Sequence, residues 1–261
     1  RFLNLLGPQL KNPVLLALLS VGVATGLSFL HLGKKSNAPR SLNNLAGSWV
    51  SREILALGMY SLSLLAVFIL GWNSWAFELL SHLLLLSSVI GIVFLWTMTR
   101  IYVIPTIPPW NSWYTPLSFF STAICLGLMT VLIVHYSVLA REGCVVCYAQ
   151  FLGDPTSRIL LVSLTLTLFL EMVSGMVHQS RLAKMDTGID RLVLVRGGYY
   201  QLFLTRMALV VLSLLVMSMF LFRLDLDSHH AWVYYLLPAL VGAQALLGRL
   251  LFFSSYFRLG V

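Results

Sequence analysis

Seven long apolar runs dominate the sequence, covering roughly 13–32, 54–71, 79–99, 117–138, 157–177, 202–222 and 232–253. A bilayer core takes about 20 apolar residues to cross as a helix, so each run can cross it. Helices are the natural form, because a spanning segment must satisfy its backbone polar groups internally. A strand barrel would show short alternating segments instead, and these runs do not alternate. The expected fold is all-α: a polytopic transmembrane helix bundle of seven spans, forming one integral-membrane domain over 1–261. Composition agrees. Of 261 residues 59% are hydrophobic and 10% charged, and the mean hydropathy is +0.88. Soluble domains carry roughly 25% charge, so a soluble globule, a disordered chain and a disulfide scaffold are all excluded.

The polar residues fall between the runs. Residues 33–51 contain Gly33, Pro39, Asn43, Asn44 and Gly47, and residues 103–116 contain Pro105, Pro108, Pro109 and Pro116 with Trp110 and Trp113. Such tryptophans suit a membrane–water interface. Seven spans alternate the loops between two sides. Side A holds 33–53, 100–116, 178–206 and the C-terminus; side B holds 1–12, 72–78, 139–158 and 223–231. Of the 17 Lys and Arg residues, Arg1, Lys11, Arg141, Arg158 and Arg223 fall on side B, Arg249 lies within a span, and the rest are on side A. The positive-inside rule then puts side A in the cytoplasm. The net charge of +8 is read as topology and contact with anionic lipid heads, not as nucleic acid binding. The chain opens at Arg1 on a short polar lead-in without an initiator Met. It is expected to be a fragment lacking an upstream segment.

Cys125 lies in an apolar run and reads as a small core residue. Cys144 and Cys147 form one CxxC. A zinc or iron–sulfur site needs four ligands, so no metal is assigned.

Ionisable groups inside spans are costly and usually functional. Here they gather toward side A. His31 closes the first span, Arg52 and Glu53 open the second, Arg100 ends the third and Arg206 opens the sixth. His178 ends the fifth, with Glu171 about two turns deeper; Arg249 lies a turn inside the seventh, with Gln244 deeper still. An Arg or His at a helix end ordinarily snorkels to the head groups. Glu53 and Arg249 fit that explanation poorly, and together these residues suggest a polar pocket. Quinol oxidation suits it, since a quinol reaches such a pocket from the bilayer and needs hydrogen-bond partners and a proton acceptor. A membrane transporter is an alternative, but its site belongs near the midplane on broken helices. A di-haem cytochrome b-type quinol dehydrogenase subunit is another, with His31 and His178 in one layer and His82 and His135 in the other.

The stretches His31-Leu32-Gly33, Arg40-Ser41-Leu42-Asn43 and Ser48-Trp49-Val50-Ser51-Arg52-Glu53-Ile54 resemble the membrane anchor subunit of the dimethyl sulfoxide reductase family, a relative of polysulfide reductase membrane subunits. So do the run Val93 to Tyr102, Pro109-Trp110, Thr115-Pro116 with Phe119-Phe120, Arg206, and Leu247-Gly248-Arg249 with Phe252. The family anchor has eight spans. Its leading helix has no counterpart here, and Cys144, Cys147 and Glu171 have none in the family.

The resemblance implies a subunit of anaerobic respiration that binds menaquinol and carries no haem or cluster of its own. Electrons would pass to a four-cluster iron–sulfur subunit, and from it to a catalytic subunit with a molybdenum bis-pterin. The family's site residues fall on His31 and Glu53. Arg52, Arg100, Arg206 and Arg249 are expected to support the site, and Arg100, Arg206 and Arg249 to keep Glu53 ionised by proximity. Tyr102 and Trp110 would line its mouth. Loops 33–53 and 178–201 would dock the iron–sulfur subunit.

Overall fold

The computed structural model describes residues 11–31, 39–73, 77–141, 153–184, 198–222 and 233–256. Among them are seven α-helices and no strand. They are α1 (Lys11–His31), α2 (Trp49–Asn73), α3 (Phe77–Tyr102), α4 (Tyr114–Arg141), α5 (Pro155–Lys184), α6 (Gly198–Leu221) and α7 (Val233–Ser254), with a 3-10 helix over Pro39–Asn44. Six of the seven are long and apolar enough to cross a membrane; the apolar stretch described in α1, Pro13–Gly26, is shorter. Cys144 and Cys147 lie outside the described residues.

Helix ends follow local chemistry. Asp154 caps α5: its Oδ2 accepts the Ser157 N–H at 2.9 Å, and Pro155 begins the helix where a missing N–H costs nothing. At its far end α5 runs seven residues past the apolar run, to Lys184. Polarity rises there, but Gln179, Arg181, Leu182, Ala183 and Lys184 are all good helix formers. The expectation that Arg206 opens the sixth span is corrected for a similar reason. Helix α6 starts at Gly198, so Arg206 lies about 12 Å along it at 1.5 Å per residue.

The chain divides into two compact units, 1–102 and 103–261. In the first, α2 packs against α1 and α3. Val14, Val67 and Leu80 form a buried apolar cluster at one end. The Ser63 and Ser87 hydroxyls meet at 3.0 Å between α2 and α3. Tyr60 stacks on Phe94, centroids 6.0 Å apart, over Gly91, where an added Cβ would come within 3.1 Å of the ring.

In the second unit four helices close a ring: α4 on α5, α5 on α6, α6 on α7 and α7 on α4. Its apolar core includes Cys125, Leu164, Leu168, Met217 and Val241, all fully buried. Cys125 thus has the core place its apolar surroundings suggest. The segment before α4 is pinned to α7: the Trp110 indole N–H donates to the Phe252 carbonyl at 2.9 Å, and the two rings stack at 5.2 Å.

Candidate functional site

In the first unit the helix directions settle which ends coincide. Val14 of α1 and Val67 of α2 meet in one cluster. At about 1.5 Å per residue, His31 then lies roughly 25 Å from that cluster and Glu53 roughly 20 Å, both toward side A. His31 and Glu53 therefore share one end of the α1–α2 pair. The His31 side chain lies outside the described residues. Glu53 is partly buried, and among the described residues no ion pair reaches it.

Arg52 and Arg100 meet at the same end, through an aromatic ring. The Arg52 guanidinium lies 4.2 Å from the Trp49 ring centre and that of Arg100 5.1 Å. Arg52 also donates from Nε to the Leu45 carbonyl at 2.8 Å and from Nη2 to the Ala46 carbonyl at 2.6 Å. It thereby binds the turn before α2 to the first turn of that helix. Arg100 lies 5.9 Å from Trp96 as well. Tyr102 closes α3. Sequence reasoning placed both arginines but missed Trp49 as their shared platform, although Trp49 and Arg52 stand one turn apart on a helix.

Trp110, Arg206 and Arg249 lie in the second unit. Arg206 is 3% exposed and Glu171 is 2% exposed. Arg206 Nη2 approaches Glu171 Oε2 at 3.5 Å, and Nη1 lies 3.1 Å from the Tyr114 hydroxyl. The Tyr114 ring stacks on His178 at 4.0 Å, nearly parallel. Glu171 Oε1 accepts from the Ser121 hydroxyl at 2.9 Å and the Thr122 hydroxyl at 3.0 Å. Helix α7 allows this by approaching closely at Gly248, where an added Cβ would lie 3.0 Å from the Arg206 guanidinium carbon. Arg249, next along α7, donates to the Ser118 carbonyl at 3.2 Å and lies over the Phe119 ring at 3.8 Å.

The carboxylate facing Arg206 is thus Glu171, in the same unit. The sequence located Glu171, His178 and Gln244 by depth but not this network, since hydropathy reports how deep a residue lies and not which way it faces. Of the four histidines considered for haem, His82 is exposed, His135 bonds Asp154 at 2.9 Å, His178 stacks on Tyr114, and the His31 side chain is outside the description. Burial alone would raise the Asp154 carboxyl; the Ser157 N–H and the His135 ring outweigh it and hold the group below the usual carboxylate range.

The family model described as DMSO reductase anchor subunit (DmsC) matches residues 11–254. Among curated proteins, this sequence is 33% identical over 117 residues to the anaerobic dimethyl sulfoxide reductase subunit YnfH of Escherichia coli K12, covering 42% of this chain and 39% of that one. It is 26% identical over 203 residues to the C subunit of anaerobic dimethyl sulfoxide reductase from the same strain, covering 74% and 64%. The C subunit of the Haemophilus influenzae enzyme is 32% identical over 123 residues, covering 44% and 41%. The matched stretches span less than two thirds of each relative's length. No solved structure matches at a significant level. With helices suited to repeated crossing of the bacterial inner membrane and a family match across nearly its whole length, the chain belongs to the DMSO reductase anchor subunit family.

Proposed function

We propose that the protein is the menaquinol-oxidising anchor of a molybdenum oxidoreductase complex, with side A in the cytoplasm. Its partners are a four-cluster iron–sulfur subunit and a catalytic subunit carrying a molybdenum bis-pterin, and loops 33–53 and 178–201 are the docking face. The observation that carries the site is the shared end of α1 and α2, which holds a histidine and a carboxylate at membrane-edge depth.

Quinol oxidation sends two electrons to the partner's clusters and releases two protons. His31 hydrogen-bonds one hydroxyl and takes its proton; Glu53 accepts the second proton and passes it to water. Arg52 and Arg100 fix the protein around Trp49, and Tyr102 lines the mouth. In this reading the protein holds the quinol, and the redox centres lie in its partners.

Binding tests the site directly. Fluorescence quenching of a hydroxyquinoline menaquinol analogue by the full-length protein in detergent should show one saturable site, lost in His31→Ala and weakened in Glu53→Gln. Unchanged binding in both variants would overturn the site.

A further inference from the structure

The four-helix unit differs along its length. Toward side B its centre is apolar, closed by Leu164, Leu168, Met217, Leu237 and Val241. Toward side A the same helices turn Glu171, Arg206, Ser121, Thr122, His178 and Gln244 inward, all buried. Glu171 lies six residues, about 9 Å at 1.5 Å per residue, inside the end of the apolar run at 177. An ionisable pair at that depth is expensive in a bilayer and marks a functional site by default.

The hydrogen bonds around Glu171 suit two protonation states. Each hydroxyl has one proton to donate. Thr122 Oγ1 lies 3.0 Å from Glu171 Oε1 and 2.7 Å from the Ser118 carbonyl. With the carboxylate ionised, Thr122 and Ser121 donate to it. With Oε1 protonated, the carboxyl donates to Thr122 Oγ1, and Thr122 turns its own proton to the Ser118 carbonyl. Neither state strands a hydroxyl proton. The Arg206 contact is one long approach of 3.5 Å rather than a two-pronged fork, and the guanidinium is shared with Tyr114.

A second observation is independent of the carboxylate. Gln244 is fully buried, one turn deeper than Gly248 on the same face of α7, and Gly248 lies against Arg206. Its Oε1 and Nε2 meet no hydrogen-bond partner among the described residues, and neither does His178 Nδ1. Buried polar atoms in that condition are ordinarily satisfied by internal water.

We propose that Glu171 is a proton-exchange site inside the membrane, served from side A by water held between His178 and Gln244. One proton from water adds to Oε1 and returns by the same route. The apolar floor stops it from crossing to side B. The titratable and charged groups around it are Tyr114 and Cys125 on α4, His178 on α5, Arg206 and Tyr199 on α6, and Arg249 on α7. Arg206 keeps its charge throughout, so the site alternates between neutral ion pair and net positive. This inference is independent of the quinol reading.

Infrared difference spectra of the full-length protein in lipid vesicles, with pH stepped on one face at a time and no quinol present, test it. A protonated-carboxyl band should appear on acidifying the face that carries the C-terminus, shift in D2O, vanish in Glu171→Gln and persist in Glu53→Gln. Thr122→Val keeps shape and ion pair, so the band should remain and move in frequency; this assigns the band even if Glu171→Gln does not fold. In Gln244→Leu the D2O shift should develop more slowly. No such band, a band indifferent to Glu171→Gln and Thr122→Val, or a response to the opposite face would overturn the proposal.

Discussion

Removing Glu171 and removing Arg206 should have unequal consequences, although each deletes half of one ion pair. Breaking a buried pair by removing one partner costs about 3–5 kcal/mol, because the other charge is left uncompensated. Glu171→Leu leaves a guanidinium that is 3% exposed and does not shed its proton. Its remaining side-chain acceptor is the Tyr114 hydroxyl at 3.1 Å, so the full penalty of about 3–5 kcal/mol applies. Arg206→Met leaves a carboxyl that can take a proton, with Ser121 and Thr122 already at 2.9 and 3.0 Å. Its cost reduces to the lost Tyr114 bond and imperfect repacking, about 1–2 kcal/mol. The double variant removes both charges and should be less damaged than Glu171→Leu alone, with a coupling energy of about 2 kcal/mol. Interhelical hydrogen bonds in membranes average only about 0.6 kcal/mol, so a difference this large reports the stranded charge. Reversible unfolding of the full-length protein from mixed micelles into denaturing detergent measures all three. Single variants equal within about 0.5 kcal/mol, or strict additivity in the double, would refute the reasoning.

Two further outcomes follow from the packing. Trp110→Phe keeps much of the 5.2 Å stack on Phe252 but loses the 2.9 Å bond to its carbonyl; it should cost about 1 kcal/mol and speed proteolysis of the 103–113 segment. Asp154→Ala removes the α5 cap, for a loss of about 0.5–2 kcal/mol. Because the folded-state Asp154 carboxyl is held low, its contribution is complete above the unfolded value of about 3.9 and is lost as pH falls through the lower folded value. Wild type and variant should therefore converge in stability only under strong acid, as thermal unfolding across pH would show.

The fold was legible because a bilayer simplifies the code. Span length and loop punctuation are written in hydropathy, and the runs at 79–99 and 202–222 match α3 and α6 to within four residues at either end. Depth was legible only in part by counting residues: Arg249 lies about a turn inside the end of α7, but His178, expected to end the fifth span, lies six residues before the end of α5. Rotation about each helix axis was not. Lipid is as apolar as a helix interface, so Leu166, exposed, and Leu164, buried, look alike in sequence. That ambiguity hid the Glu171–Arg206 pair, whose members lie on different helices, and the Trp49 platform beneath Arg52 and Arg100. The polar ends of α5 and α6 were missed because they change in hydropathy while remaining helical.

The most direct test of the anchor reading is to compare two electron donors in membranes holding the intact complex. Acceptor reduction by the complex, with dimethyl sulfoxide offered as one candidate acceptor, is driven in parallel by a menaquinol analogue and by a reduced viologen dye that bypasses the proposed quinol site. His31→Ala and Glu53→Gln are expected to abolish the quinol-driven rate and leave the dye-driven rate at the wild-type level. Full quinol-driven activity in both variants would contradict the claim that this end of the first unit oxidises quinol.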